Sequence, residues 1–419
     1  MEPRNFILIM AVSENLGIGY QRVLPWKIPE DWEHLLKVIV AGPERNTFVM
    51  GRTSWEDSPK PFPNIRNIVV SRSLQSAEGA DICTNLREAI SISTGLCFIG
   101  GGCEIYRECL SPPLVQYCTQ IYLTRISNTI KCDTFFPFNA KTLFQDPLVE
   151  GFSPTLISKT KSHLDYTYDF TIFSNNNLPR QPHCIEYPPH EEFQYLDLIK
   201  EIAFSKNLRV DEDGKEIATL FGKMIKFDLS MSFPLLTTRS LNWGEIVEKL
   251  VRGIRGEDEE SERSDGLRND IQFRYFQGQG IHQCTETINL IRNEPSSNKI
   301  MLRFGNSCET TCQFYVADGK LSSLVYQSSE NIERMPYGIA FYSLFTCLVA
   351  QICGLKRGEF NYLIGVVECD LSSIEKLQNQ IKRNPYPFPQ IKLRENIESI
   401  DQFTPEDVEL LRYFNHGEI

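Results

Sequence analysis

Apolar residues in the first half of the chain fall into short, β-branched runs separated by amphipathic stretches. Phe6–Ala11 reads as a buried strand, as do the runs Thr47–Met50, Asn67–Val70, Leu96–Ile99 and Gln120–Thr124. Between several of them apolar positions recur at helical spacing, at Pro29–Val40, Asn85–Ile92 and Glu104–Leu110. Such strand–helix alternation predicts an α/β domain around a mainly parallel sheet. Asp165–Phe173 alternates enough to be a closing antiparallel strand. From Ser174 to Pro189 the chain turns to asparagine, glutamine and proline, which marks a linker. We therefore expect a first domain over 1–176, a linker over 177–190 and a second domain over 191–419. The second half has a helix at Glu192–Phe204, mixed strands and one long apolar helix, Ile339–Cys353, an α+β pattern. No internal repeat and no membrane span is expected.

Composition narrows the partners. A length of 419 residues suits about two domains, each with its own core. The net charge of −11 argues against nucleic acid and anionic membranes. Thirteen cysteines lie scattered without a CxxC pair, which predicts reduced thiols, no metal site and a cytoplasmic setting. Met1–Asn5 leads straight into a strand, leaving no room for a secretory signal; an organelle address stays open.

Five ordered motifs carry the candidate chemistry of the first domain. They are Ala11-Val12-Ser13-Glu14-Asn15-Leu16-Gly17-Ile18-Gly19, Leu24-Pro25-Trp26-Lys27-Ile28-Pro29-Glu30-Asp31, Met50-Gly51-Arg52-Thr53-Ser54-Trp55-Glu56, Ile99-Gly100-Gly101-Gly102-Cys103-Glu104-Ile105-Tyr106 and Asp133-Thr134-Phe135-Phe136-Pro137. Together they resemble dihydrofolate reductase over roughly residues 5–174. Glycines without side chains let a backbone approach a cofactor pyrophosphate at a helix start. Arginine suits a phosphate because it is permanently charged and bidentate. The resemblance implies NADPH held by Ala11, Ile18, Arg52, Ser54, Ser71, Arg72, Gly101 and Gly102. It implies Asp31, with Trp26, as the acid that orients a pterin and promotes its protonation, and Thr134 as that carboxylate's hydrogen-bond donor. The plainer alternatives are a tight turn at Gly100–Gly102 and a solvent-facing Asp31 in a first helical turn.

Departures gather on the substrate side. Without gaps, Trp55–Asn67 puts Ile65 where the resembled family has an arginine that clamps the folate glutamate, Ser58 where it has a large aliphatic residue, and Leu35 where it usually has phenylalanine. A lost bidentate charged contact costs about 1.5–3 kcal/mol. Arg66 substitutes only if the strand slips by one residue, which turns every side chain to the other face.

Residues 191–419 resemble thymidylate synthase, fused after the reductase as in bifunctional enzymes of protists and plants. The resemblance rests on Phe193-Gln194-Tyr195-Leu196-Asp197-Leu198-Ile199, Phe227-Asp228-Leu229, Phe233-Pro234-Leu235-Leu236-Thr237-Thr238-Arg239, Cys312–Ser322 and Ala340–Gly354. It implies Cys308 as the remnant nucleophile, here followed by Glu309, whose charge disfavours a thiolate. The bland alternative for Cys308 is a small core residue. The implied phosphate arginines read Glu212, Asn298-Lys299 and Ser328. Lys249 stands for the catalytic glutamate, Gly338 for the base-reading asparagine, and Glu368-Cys369-Asp370 for a His-x-Tyr element. Glu257–Arg263 reads as a solvated acidic loop, and His282 has no metal-ligand pattern.

The expectation is a divergent homologue with a catalytically dead synthase half, serving as a structural or regulatory subunit of a larger assembly. Two alternatives stay open: an NADPH-dependent dihydrofolate reductase whose synthase half is kept for dimerisation, and an NADPH-binding sensor without turnover. In each, the second domain is expected to dimerise with a copy or a paralogue.

Overall fold

The computed structural model describes residues 4–42, 44–137, 140–144, 148–205, 207–210, 214–255, 280–304 and 310–419, the side chains of 280–282 and 304 excepted. The chain divides into two compact units, Met1–His190 and Glu191–Ile419.

The elements of the first unit run β1 (Phe6–Ser13), β2 (Gly17–Gly19), α1 (Pro29–Ile39), β3 (Thr47–Gly51), α2 (Arg52–Asp57), β4 (Arg66–Val70), β5 (Asp81–Cys83), α3 (Leu86–Ser91), β6 (Cys97–Ile99), α4 (Cys103–Cys109), β7 (Cys118–Ile126), β8 (Thr134–Phe135), β9 (Phe152–Ile157), β10 (Lys161–His163) and β11 (Tyr166–Asn175). The main sheet has the order β10-β11-β7-β1-β6-β3-β4-β5, with β9 also on β11. From β7 to β5 every pairing is parallel; β11 closes the sheet antiparallel to β7. Both faces of these strands are covered, so β1 and β7 are buried almost throughout and read as continuous apolar runs.

Helix α1 starts where Pro29 pre-sets the backbone and Glu30 and Asp31 face the positive end of the helix. Its apolar side, Trp32, Leu35, Leu36, Val38 and Ile39, packs on a core of Phe48, Met50, Phe62, Ile65, Phe98 and Tyr122. The β7–β11 seam holds a buried bidentate pair, in which Arg125 Nε and Nη2 donate to Asp169 at 2.9 and 2.7 Å. Residues 184–187 lie against this unit: the Cys184 N–H donates to the Tyr122 hydroxyl at 2.7 Å, and Tyr187 meets His34 of α1.

The second unit runs α5 (Phe193–Ala203), β12 (Leu208–Val210), β13 (Glu216–Asp228), α6 (Trp243–Arg255), α7 (Gly280–Asn293), β14 (Met301–Phe304), β15 (Thr310–Ala317), β16 (Lys320–Asn331), α8 (Met335–Ile352), β17 (Lys356–Asp370), α9 (Ile374–Gln380), β18 (Gln390–Leu393) and β19 (Val408–Leu411). Its main sheet is ordered β12-β13-β17-β16-β15-β14, parallel only between β16 and β17. Helix α8 is long and apolar enough to cross a membrane by composition, yet it is the buried core helix of this unit. Glu192, fully buried, ties the start of α5 to the core by accepting from the N–H and hydroxyl of both Thr237 and Thr238, at 2.6–2.9 Å.

Candidate functional site

The C-terminal ends of β1, β3, β4 and β6 converge with α1, α2 and α4 on a cavity of about 730 Å³. Ala11, Ile18, Arg52, Ser54, Ser71, Arg72, Gly101 and Gly102 line it, as do Asp31 and Thr134. Ligand crevices in open α/β sheets lie at such strand ends.

At the deep end sits Asp31. It enters the first turn of α1 and faces the cavity, not solvent. Burial pushes its carboxyl up from 3.8 to about 6, against the smaller opposing effects of Thr124 and Trp26. Thr124 on β7 donates to Asp31 Oδ1 at 2.6 Å. The expected donor, Thr134, does not reach it. Thr134 sits on the short strand β8, paired with Gly19, and its hydroxyl donates to Asp133 at 3.0 Å. Position on the central sheet decides the matter: Thr124 pairs in register with Ala11 of β1, across from α1. A threonine at the end of the Gln120–Thr124 run was the sequence signal for it. Trp26 is buried, and its indole N–H has no hydrogen bond of normal geometry, although it stands close enough to Asp31 to lower that carboxyl's pKa. Trp26 is not among the residues that line the cavity, so it acts on the site through Asp31. His34, one turn further along α1, also lines the cavity. Burial pushes it down to about 3, so it stays neutral, stacked on Phe170 at 4.2 Å and bonded to Tyr187.

The glycine end has a shape only glycine permits. Gly101 and Gly102 have φ of 80° and 92°, and a Cβ on Gly101 would lie 2.3 Å from Ser54 Oγ. The Gly101 N–H donates to the Tyr106 hydroxyl at 2.7 Å, and that hydroxyl donates to the Ile9 carbonyl at 3.1 Å, pinning the turn to β1. Sequence reading passed over Tyr106, whose hydroxyl role depends on the fold of α4 against β1. Ser71 Oγ accepts from the N–H groups of Ser73 and Leu74. Arg52 pairs with Glu56 at 2.6 Å and donates to Ser73 at 3.0 Å. The Glu56 carboxyl is held below its ordinary value, first by the Arg52 hydrogen bond, with lesser attraction from Lys60 and Arg22. The side-chain-free turn, with Arg52 and Arg72 alongside, fits a nicotinamide dinucleotide phosphate.

Neither Ile65 nor Arg66 is among the residues that line the cavity. Strand β4 pairs with β3 in register, Thr47 opposite Arg66 through Gly51 opposite Val70. Ile65 is 2% exposed in the core, and Arg66 points elsewhere, to Asp81 at 2.8 Å and the Ile92 carbonyl at 2.5 Å. Ser58 lines the cavity and donates to the Ser54 carbonyl at 2.7 Å.

In the second unit, Cys308, Glu309, Glu212, the run Glu257–Arg263 and the His282 side chain lie outside the described residues. Lys249 on α6 pairs with Glu245 at 2.7 Å. Gly338 opens space that its neighbours fill: a Cβ there would lie 3.1 Å from the Tyr362 hydroxyl and 3.4 Å from Glu330 Oε2. Tyr362 donates to that oxygen at 2.6 Å, and burial pushes Glu330 up to about 7. Asp370 pairs with Lys215 at 2.6 Å, and Lys299 is exposed. Among the described residues no group of three or more His, Cys, Asp or Glu side chains is placed to hold a metal.

Comparison with known proteins agrees with this division. The dihydrofolate reductase family model matches residues 5–168, and the thymidylate synthase model matches 193–266 and 264–419. The bifunctional dihydrofolate reductase-thymidylate synthase of Paramecium tetraurelia is 31% identical over 470 residues, covering 99% of this chain and 98% of the relative. Bifunctional dihydrofolate reductase-thymidylate synthase 2 of Arabidopsis thaliana is 31% identical over 500 residues, covering 98% and 87%, and the bifunctional protein of Zea mays 30% over 504 residues, covering 99% and 96%. With both families matched in order, and relatives aligned over nearly the whole chain, this protein belongs to the bifunctional dihydrofolate reductase–thymidylate synthase family.

Proposed function

We propose that the first unit is an NADPH-dependent reductase of a dihydropteridine, and that the second unit no longer methylates a nucleotide and serves as a structural body. The observation that carries the reading is Asp31: a carboxyl at the deep end of a cavity, with its pKa raised by burial to about 6, bonded by Thr124 and next to an unpaired indole N–H. A group poised near neutral pH in a cleft is suited to general acid–base work. Ala11, Ile18, Arg52, Ser54, Ser71, Arg72, Gly101 and Gly102 would hold NADPH, which when bound supplies hydride. Asp31 would orient the pteridine and favour its protonation. Thr124 holds Oδ1 and so fixes the carboxyl's orientation, and the Trp26 indole beside it favours the ionised carboxyl.

Loss of the synthase reaction is supported by charge. Ser328 and Gly338 provide neither cation nor amide, and Glu330 and Tyr362 fill the room beside Gly338. An anionic nucleotide would meet the Glu330 carboxyl there, raised by burial to about 7. The relatives are named as bifunctional dihydrofolate reductase-thymidylate synthases, and in this reading the second half is where the chain would part from them.

A second reading, a structural or regulatory subunit of an assembly, is favoured by one surface. Phe221 (79% exposed), Met224 (43%) and Tyr326 (39%) stand on the open face of the second unit's sheet, where Met224 and Tyr326 both flank Leu363. An apolar sheet face of this kind suits a homodimer or a paralogue. The described cysteines are all free, which supports a reducing compartment such as the cytosol.

The test is dihydropteridine-dependent oxidation of NADPH by the full chain and by Asp31→Asn. Turnover in the wild type that drops at least a hundredfold in the variant is expected. Binding of NADPH without turnover would leave a sensor, and no binding would leave the subunit reading alone.

A further inference from the structure

We propose that Arg22, at the tip of a strained turn after β2, receives the terminal carboxylate of a conjugated dihydropteridine. This rests on the reductase reading above and adds to it a residue that sets which substrate is preferred.

Backbone geometry singles this turn out. Tyr20 and Val23 exchange both backbone hydrogen bonds, at 3.0 and 3.1 Å, so Gln21 and Arg22 form a two-residue loop. Both have positive φ, 51° and 69°. Asparagine and glycine are the ordinary occupants of such a loop, and a long side chain there strains the backbone. Gln21 has a local compensation, because its N–H donates to Asp133 Oδ2 at 2.8 Å. Lys131 braces the other flank, with its ammonium 5.1 Å from the Tyr20 ring centroid. Arg22 has no hydrogen bond or ion pair among the described residues, yet it lines the cavity. Strain retained at a charged tip is expected where that tip meets a ligand.

Charge selects the class of ligand. The bases lining the cavity are Arg22, Arg52 and Arg72. Arg52 is bonded to Glu56 and Ser73, and Arg72 follows Ser71 among the residues assigned above to the cofactor. Arg22 is the base that remains for a substrate. Its charge is felt at Glu56, whose carboxyl is held low first by the Arg52 hydrogen bond and least by Arg22. Glu56 precedes Asp57 and Ser58, which line the cavity with Trp32, Leu35 and Phe62. The Trp32 and Phe62 rings, 5.6 Å apart, offer an aromatic spacer an apolar wall. Asp57 would repel an anion on this stretch, and Arg22 offsets that repulsion. Other nearby cations are engaged: Arg66 bonds Asp81 and the Ile92 carbonyl, and Lys60 bonds the Glu56 carbonyl. Neither lines the cavity. A guanidinium holds a carboxylate through two parallel N–H bonds, and at an exposed position such as this the gain is at most about tenfold in affinity.

The experiment compares dihydrofolate with an unconjugated dihydropterin on the full chain, in the wild type, Arg22→Gly and Arg22→Lys. Efficiency kcat/KM is measured for each pterin with NADPH, together with the NADPH Kd and the unfolding temperature. Glycine accepts a φ of 69° freely, so Arg22→Gly should melt as the wild type does. Its efficiency ratio, dihydrofolate over the unconjugated pterin, should fall about fivefold, through KM and with the NADPH Kd unmoved. Lysine keeps the charge but not the fork, so Arg22→Lys should recover part of the ratio. The KM for dihydrofolate should rise with ionic strength more steeply in the wild type than in Arg22→Gly. An unmoved ratio, or a loss of NADPH affinity in its place, overturns the inference while leaving the reductase reading intact. Turnover of neither pterin, with NADPH bound, overturns both.

Discussion

Replacing Asp31 with asparagine should stabilise the first unit, and should do so only above acid pH. The folded carboxyl titrates near 6 against 3.8 for the free side chain, and burial is the main cause. Below pH 3.8 the group is protonated in both folded and unfolded chains and costs nothing. Between 3.8 and 6 the unfolded chain ionises first, so the penalty grows, and above 6 it is complete. The gap is worth about 3 kcal/mol at about 1.4 kcal/mol per tenfold change. Asp31 is partly open to the cavity, so this is a ceiling. For a unit of this size it corresponds to a rise in Tm of up to about 6–12 °C. Asparagine keeps the shape and an acceptor for Thr124. Thermal unfolding of the wild type and Asp31→Asn, followed at pH 4, 6 and 8, reads the difference directly. A gain at pH 8 that fades by pH 4 is expected. A variant destabilised at pH 8, or a pH-independent difference, would show that Asp31 is not held as a costly buried acid.

Three further outcomes follow from the geometry. Removing the Thr124 hydroxyl in Thr124→Val takes away the bond that lowers Asp31, so the pH at which reduction falls off should move upward from about 6, read from the pH profile of kcat/KM; an unmoved profile would contradict Asp31's role as the titrating group. Gly101→Ala forces a Cβ to within 2.3 Å of Ser54 Oγ at a φ of 80°, and NADPH titration should show affinity at least tenfold weaker, with wild-type affinity counting against the cradle. Phe221→Asp, placed on the open sheet face, should shift sedimentation from dimer to monomer without unfolding the second unit; a wild-type profile would move the contact elsewhere.

Much of the first unit was legible because its central strands are buried on both faces and so stand out as apolar runs. The parallel sheet and the antiparallel closing strand β11 match that reading. Strands β5 and β10 were not legible: each has three residues, too few to show a period. Helix α8 begins at Met335 and not Ile339, with Pro336 in its first turn, a start signal that the apolar run overshadowed. The error at Thr134 has a different source. A motif places residues in order along the chain, whereas the Asp31 hydroxyl partner is set by pairing of β7 against β1. Likewise, the acid that fills the room beside Gly338 comes from Glu330, bonded to a tyrosine 32 residues away on the neighbouring strand, which no local spacing encodes.

Calorimetric titration of the purified full chain with NADPH and, separately, with dUMP tests the central division most directly. The account predicts one NADPH bound per chain and no heat from the nucleotide. Saturable dUMP binding, with NADPH ignored, would reverse the assignment of a working first unit and a retired second one.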